Sequence, residues 1–297
     1  MARPVIIEVA LNGGLRKDRN PRVPRSPDEI AADALVCLDA GAAIAHNHND
    51  EQVLGSDGHH SAEPYLAAWR QILEQRPEAL LYPTMPSGGP GIRIEDRYAH
   101  IVALAEAEVL GLGLVDPGTT NIGRFNADGS PRADDWIYQN SFADGVHMVE
   151  TCRTLGVGLS VSIFEPGFVK FILGYVQADR LPPGTFMKFY FGGRYGGFGL
   201  PPTATALGAY LEMIEDTGLP WLVSVQGGDV VDCGLAEHAI ERGGHLQVGL
   251  EPSGDPRRSN LELVQEAVEL CERHGCRPAT SGEAANILGL PDQQRLD

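Results

Sequence analysis

The sequence predicts a (β/α)8 barrel, on three observations. Apolar, strand-like runs alternate with helix-length segments eight times along 297 residues. The runs are continuously apolar, the mark of strands buried on both faces of a parallel sheet. No Gly-x-Gly-x-x-Gly follows the first run, so the doubly wound open sheet lacks its signature.

Each unit has its own warrant. Residues 5–11 read as the first strand. Ser26-Pro27-Asp28-Glu29 then opens a helix to residue 40: Ser26 is the N-cap, Pro27 takes the first helical position, and Glu29 completes a capping box. Residues 42–46 and 62–75 form the second strand and helix, and 79–83 and 97–106 the third pair. Residues 109–115 and 141–155, then 157–163 and 167–178, give the fourth and fifth. The sixth is 186–191 and 203–217, the seventh 221–225 and 233–242, and the eighth 246–250 and 260–274. No linker composition interrupts the series, so residues 1–297 are expected to form one domain.

Composition narrows the function. A formal charge of −17 argues against nucleic acid or an anionic membrane as partner. The first residues lack an apolar leader, and no apolar stretch approaches the ~18–20 residues of a membrane span. Five scattered cysteines (Cys37, Cys152, Cys233, Cys271, Cys276) fit a reducing, cytoplasmic setting. Cys271, His274 and Cys276 cluster without a matching second half and read as a helix end with Gly275 as its cap. His59-His60, in a Gly/Ser/Asp loop, is expected to be exposed.

Barrel chemistry sits at the C-terminal ends of the strands. There the chain carries Asn12-Gly13-Gly14, then His46, His48 and Asp50, then Thr84 with Gly88-Gly89, and Asp116-Pro-Gly-Thr119-Thr120-Asn121. Glu165, the glycine-rich run 192–197 around Arg194, Gln226-Gly227-Gly228-Asp229, and Glu251 follow strands five to eight. His46 and His48 are the sharpest signal. Residues at i and i+2 of a strand face the same way, so the apolar run before them delivers two imidazoles as a pair of metal ligands. The bland alternative is two histidines hydrogen-bonded in a polar loop. Strands two and eight both flank strand one in a closed barrel, so Glu251 can converge with the pair as a His2Glu set of the catalytic-zinc type, the alternative being a helix-capping or surface carboxylate.

Several of these segments resemble the beta-keto acid cleavage enzyme family. They are Asn20-Pro-Arg-Val-Pro-Arg-Ser-Pro-Asp-Glu29, Gly41-Ala-Ala-Ile-Ala-His-Asn-His48, Gly118-Thr-Thr-Asn-Ile-Gly123, Gly243-Gly-His245, Val248-Gly249-Leu250-Glu251 and Ser259-Asn260-Leu-Glu-Leu-Val264. They run in order from about residue 4 to 290. The resemblance implies a zinc-dependent barrel, usually a homotetramer, that cleaves a small β-keto acid with acetyl-CoA into acetoacetate and a new acyl-CoA. Its metal ligands fall on His46, His48 and Glu251, and its substrate-binding hydroxyls on Thr84 and Thr119.

The chain departs from this pattern in four places. The family's Arg–Asp proton-transfer pair falls on Gln247 and Pro252. An acidic residue that selects amino substrates falls on Leu15, and an Arg after strand seven on Gly228. An amino β-keto acid is therefore not expected as substrate. Glu165, Asp229, Asp50 and Asp255 are the candidate bases, beside a water activated by the metal. Asn12, Gly228 and Arg194, or Arg16, are the candidate substrate contacts. Three readings stay open: this C–C cleavage with acetyl-CoA, a metal-dependent hydrolase, aldolase or isomerase without CoA, and a non-catalytic zinc-binding barrel.

Overall fold

The computed structural model describes residues 2–193 and 197–291. Eight parallel strands form one sheet: β1 (Ile7–Ala10), β2 (Ile44–Asn47), β3 (Leu80–Pro83), β4 (Leu112–Val115), β5 (Gly158–Ile163), β6 (Phe186–Gly192), β7 (Trp221–Gln226) and β8 (His245–Val248). Helices α1 (Pro27–Asp39), α2 (Glu63–Gln75), α3 (Ile94–Glu106), α4 (Phe142–Leu155), α5 (Pro166–Gln177), α6 (Ala204–Ile214), α7 (Leu235–Glu241) and α8 (Asn260–Arg273) follow them in turn. The ladder runs β3-β2-β1-β8-β7-β6-β5-β4. A Gly111 N–H to Leu81 C=O bond of 2.9 Å ties β4 to β3 across the seam. The predicted barrel is the observed one.

Its boundaries shift where tertiary contacts intervene. The expected strand 5–11 divides: Arg3–Val5 pairs with Cys276–Pro278, outside the barrel, and Ile7–Ala10 enters it. Between them, Ile6 N–H donates to His245 Nδ1 at 3.0 Å. Burial, then the Arg3 charge, pushes that imidazole down to about 4, so it stays neutral and able to accept. The predicted capping box of α1 forms, with Ser26 accepting from Glu29 N–H and the Glu29 carboxylate returning to Ser26 N–H. α4 and α8 carry the same device at Ser141/Asp144 and Ser259/Glu262. The antiparallel pair Thr120–Asn121 and Ile137–Tyr138, and a helix Ser281–Leu288, are additions with no counterpart in the predicted series.

The strand side chains that face the helices are buried and, Asn47 apart, mostly apolar. The barrel axis is not apolar. Glu8, Tyr82, Lys188 and Gln247 come from four strands and meet there, all buried. Tyr82 hydroxyl and Gln247 Nε2 donate to Glu8 Oε1, Lys188 Nζ lies 3.5 Å from the same oxygen, and Lys188 also donates to the Tyr82 hydroxyl. Burial would lower the Lys188 ammonium, but the Glu8 carboxylate and the Tyr190 phenol hold it above its ordinary value. Among the described residues, no helix is long and apolar enough to cross a membrane.

Candidate metal centre and active-site cavity

β2 delivers the histidines as its pleat dictates. His46 faces the barrel, whereas Asn47 turns outward and accepts from Trp69 Nε1 on α2 at 2.8 Å. His48 follows one step beyond the strand. Its backbone is gripped by Asn12: His48 N–H donates to Asn12 Oδ1 at 2.8 Å, and Asn12 Nδ2 donates to His48 C=O at 3.0 Å. Asn12, expected as a substrate contact, thus spends its amide on the backbone of His48, its remaining bond reaching Pro24 C=O.

Glu251 reaches the pair from a short helical turn, Leu250–Ser253, rather than from the end of β8 itself. Two glycines make room for it. Gly249 has φ +127°, and a Cβ there would lie 2.2 Å from Ala10 C=O. Gly13 has φ +48°, and its Cβ would sit 2.6 Å from Glu251 Cγ. Asn260 supplies the clamp, accepting from Leu250 N–H and donating to Leu11 C=O, each at 2.8 Å. The Ser259-Asn260 motif therefore seats Glu251.

Asn260 also donates to Asp33 on α1, which supplies a pH test. Burial, only partly offset by that bond, raises the Asp33 carboxyl from 3.8 to about 6. A carboxyl raised on folding gives its full stability below the unfolded value, and loses it as pH climbs from about 4 through 6. Asp33→Asn is expected to match wild type at pH 4 and to exceed it by about 2 kcal/mol at pH 8, read by urea unfolding at both pH values. Equal curves at pH 8 would contradict this.

The three side chains converge. His46 Nε2 lies 3.3 Å from Glu251 Oε2, and His48 Nε2 lies 3.2 Å from Oε1. Ligands about 2.0–2.1 Å from a tetrahedral centre stand about 3.3–3.4 Å apart, so this spacing suits a metal. The ring orientation fits too. His46 Nδ1 bonds Tyr82 C=O at 3.2 Å, which leaves Nε2 free to ligate. Burial alone would raise the Glu251 carboxyl, but His48 and then His46 hold it well below the usual carboxylate range.

A cavity of about 290 Å³ opens beside the cluster. His48, Glu251, Thr84 and Asp116 supply polar lining; Val53, Leu54, Ile122, Phe164 and Phe198 supply apolar wall. Arg124 lines it from the hairpin, stacked 4.4 Å over Trp136 and paired to Asp134 at 2.9 Å. Of the candidate bases named from sequence, none joins this lining. Glu165 accepts from Thr120 Oγ1 at 2.9 Å. Asp229 accepts from Val231 N–H at 2.7 Å and pairs with Arg258 at 3.1 Å. Asp50 pairs with Arg25, and Asp255 caps the backbone of Arg257 and Arg258.

Thr119 is likewise engaged, donating to Asn140 C=O at 2.9 Å and accepting from Asn140 N–H at 3.0 Å. Gly228 lines a separate small void beneath Pro252 and Gln247. Arg16 is exposed and pairs with Asp18, and Arg194 lies outside the described residues. Of the doublet expected to be exposed, His59 is; His60 is buried, its ring 5.4 Å from His100. Sequence reasoning left Asp116, Arg124 and Tyr138 without a role. Asp116 stood in the loop after strand four, but nothing local distinguishes a cavity carboxylate from a turn aspartate.

The family's sequence model, described as beta-keto acid cleavage enzyme, matches residues 4–290. The chain belongs to the beta-keto acid cleavage enzyme family. Two bacterial relatives illustrate the range of this family. A 3-keto-5-aminohexanoate cleavage enzyme of Acetoanaerobium sticklandii is 27% identical over 294 residues, 96% of this chain and 98% of the relative. A 3-oxoadipate:acetyl-CoA acetyltransferase of Cupriavidus necator is 24% identical over 304 residues, 99% of this chain and 98% of the relative. Among solved structures, apo ObcA superposes with a TM-score of 0.64 at 15% identity, covering 91% of this chain and 66% of its own. ObcA with bound oxaloacetate gives 0.65 at 16%, covering 91% and 68%. These two likenesses speak to the barrel fold that this family member shares.

Proposed function

We propose that this protein cleaves a small β-keto acid with acetyl-CoA, yielding acetoacetate and a new acyl-CoA, with a divalent metal, zinc first, held by His46, His48 and Glu251. The observation that carries the reading is the convergence of those three side chains beside a cavity of about 290 Å³, in a chain of this family. The volume suits a small oxo acid. The activities for which the relatives are named, on 3-keto-5-aminohexanoate and on 3-oxoadipate with acetyl-CoA, support the reaction class.

When bound there, a divalent metal supplies Lewis-acid polarisation of the β-keto oxygen, worth several kcal/mol in the transition state. The chain's own residues do the rest. Thr84 offers a hydroxyl at the cavity wall, and Arg124 offers a cation to the carboxylate of the acid or to a phosphate of CoA. Val53, Leu54, Phe164 and Phe198 exclude water from the reacting atoms. The reading extends to a cytoplasmic homotetramer acting through one catalytic domain per chain.

The test is acetoacetate formation from acetyl-CoA with a panel of β-keto acids bearing neutral, amino and carboxylate tails. Product with at least one neutral or carboxylate acid is expected, and amino-tailed acids should be poor because Leu15 stands where an acid would bind the amine. No acetoacetate from any member would end the proposal. Gln247 and Pro252 favour a second reading, metal-dependent chemistry without CoA, which turnover in the absence of CoA would support.

A further inference from the structure

We infer that Asp116 is the general base of this active site, taking the C2 proton of a β-keto acid on its free carboxylate oxygen. The inference rests on the proposed reaction, which needs a carbanion at C2, and C2 loses its proton only to a base within hydrogen-bond reach. The usual pair is absent. Gln247 carries no charge and donates into the barrel axis, to Glu8 and to the Tyr190 hydroxyl at 3.3 Å. Pro252 has no titratable side chain.

Among the described residues that line the cavity, two carboxylates occur, Glu251 and Asp116. Glu251 is turned to both imidazoles. Asp116 is 4% exposed, and its two oxygens differ. Oδ2 accepts from the Tyr138 hydroxyl at 2.5 Å, whereas Oδ1 is buried with no hydrogen-bond partner. A buried carboxylate oxygen left unpaired is costly unless a ligand uses it.

The surroundings suit the role. Tyr138 comes from the hairpin strand Ile137–Tyr138, so one contact fixes both the carboxylate and the loop that walls the cavity. Burial holds the Tyr138 phenol well above its ordinary value, so it remains a donor. Burial also raises the Asp116 carboxyl, against the Tyr138 hydrogen bond, the neighbouring Ser162 hydroxyl and the charges of Lys188 and Arg97, which pull it down. A raised carboxylate is a stronger base than an exposed one.

The step balances. The proton passes from C2 to Asp116, and the C–H electron pair stays on the substrate as an enolate. The enolate carbon displaces CoA thiolate from acetyl-CoA; the thiolate adds to the C3 carbonyl, the C2–C3 bond breaks to release the new acyl-CoA, and the same proton returns from Asp116 to the acetoacetate carbanion. Nothing is oxidised or reduced.

Asp116→Asn keeps the shape and the Tyr138 bond while removing basicity. In D2O, wild type should exchange the C2 hydrogens of a β-keto acid that it turns over, followed by NMR. Asp116→Asn should slow that exchange at least 100-fold. The variant should keep wild-type bound metal and should bind a 2,2-dimethyl β-keto acid, which has no C2 proton, as tightly as wild type. Exchange by the variant within tenfold of wild type would overturn the role of Asp116 and leave the proposed reaction intact. Loss of metal or of analogue binding in step with exchange would make Asp116 structural and overturn it equally. If wild type forms no acetoacetate from any acid in the panel, the proposed reaction itself falls, and the inference with it.

Discussion

Replacing His46 with alanine is expected to remove bound metal and to lower turnover roughly a thousandfold or more. The estimate follows from a Lewis-acid contribution of several kcal/mol at about 1.4 kcal/mol per tenfold in rate. His46 is buried, stacks on Tyr82 with ring centroids 4.4 Å apart, and holds its Nε2 3.3 Å from Glu251. Alanine there leaves the buried carboxylate facing one imidazole rather than two. His48→Ala should behave alike, and the exposed His59→Ala should retain both metal and rate. Because His46 also packs, a chelator acting on wild type is the cleaner companion: activity should vanish and return with added zinc, and the unfolding temperature should fall as metal leaves. Elemental analysis and the rate assay check this together. Stoichiometric metal in His46→Ala would refute the His2Glu assignment.

Lys188→Met is expected to destabilise the fold by about 3–5 kcal/mol, seen as a fall of roughly 10 °C in Tm. The cause is the residue left behind. Glu8 is 0% exposed and Lys188 is the cation beside its Oε1, at 3.5 Å, so methionine strands a buried charge in the barrel axis. The double variant Glu8→Gln with Lys188→Met should recover most of the loss, because it removes both charges and keeps an acceptor for Gln247 and Tyr82. Calorimetry of the two variants decides the matter. A double variant no more stable than Lys188→Met would show that the lysine acts through packing instead. The result bears on function through Tyr82, whose ring and carbonyl both meet His46.

Much of this protein was legible in order along the chain. The capping box at Ser26, the eight apolar runs and the i, i+2 histidines are local patterns, and local patterns report the periodicity that produces them. Glu251 was reachable because strand order follows from barrel closure. The roles of Asn12 and Asn260 were not. Each is a polar residue in a glycine- or serine-bearing loop, and only the fold shows one holding His48 and the other seating Leu250. Glu8 and Lys188 did leave a trace, single charges of opposite sign inside the apolar runs 5–11 and 186–191. Their pairing spans 180 positions, which no periodicity encodes.

The sequence by itself determined the barrel and the convergence of His46, His48 and Glu251, because pleat alternation and strand order are consequences of local spacing. Only the tertiary structure decided which carboxylates stand in the cavity. Glu165, Asp229, Asp50 and Asp255 are held by backbone amides, a threonine hydroxyl or arginines, and Asp116 is brought to the metal-side cavity with an oxygen unpaired. A carboxylate's availability depends on which donors the fold sets against it, and those donors come from distant parts of the chain.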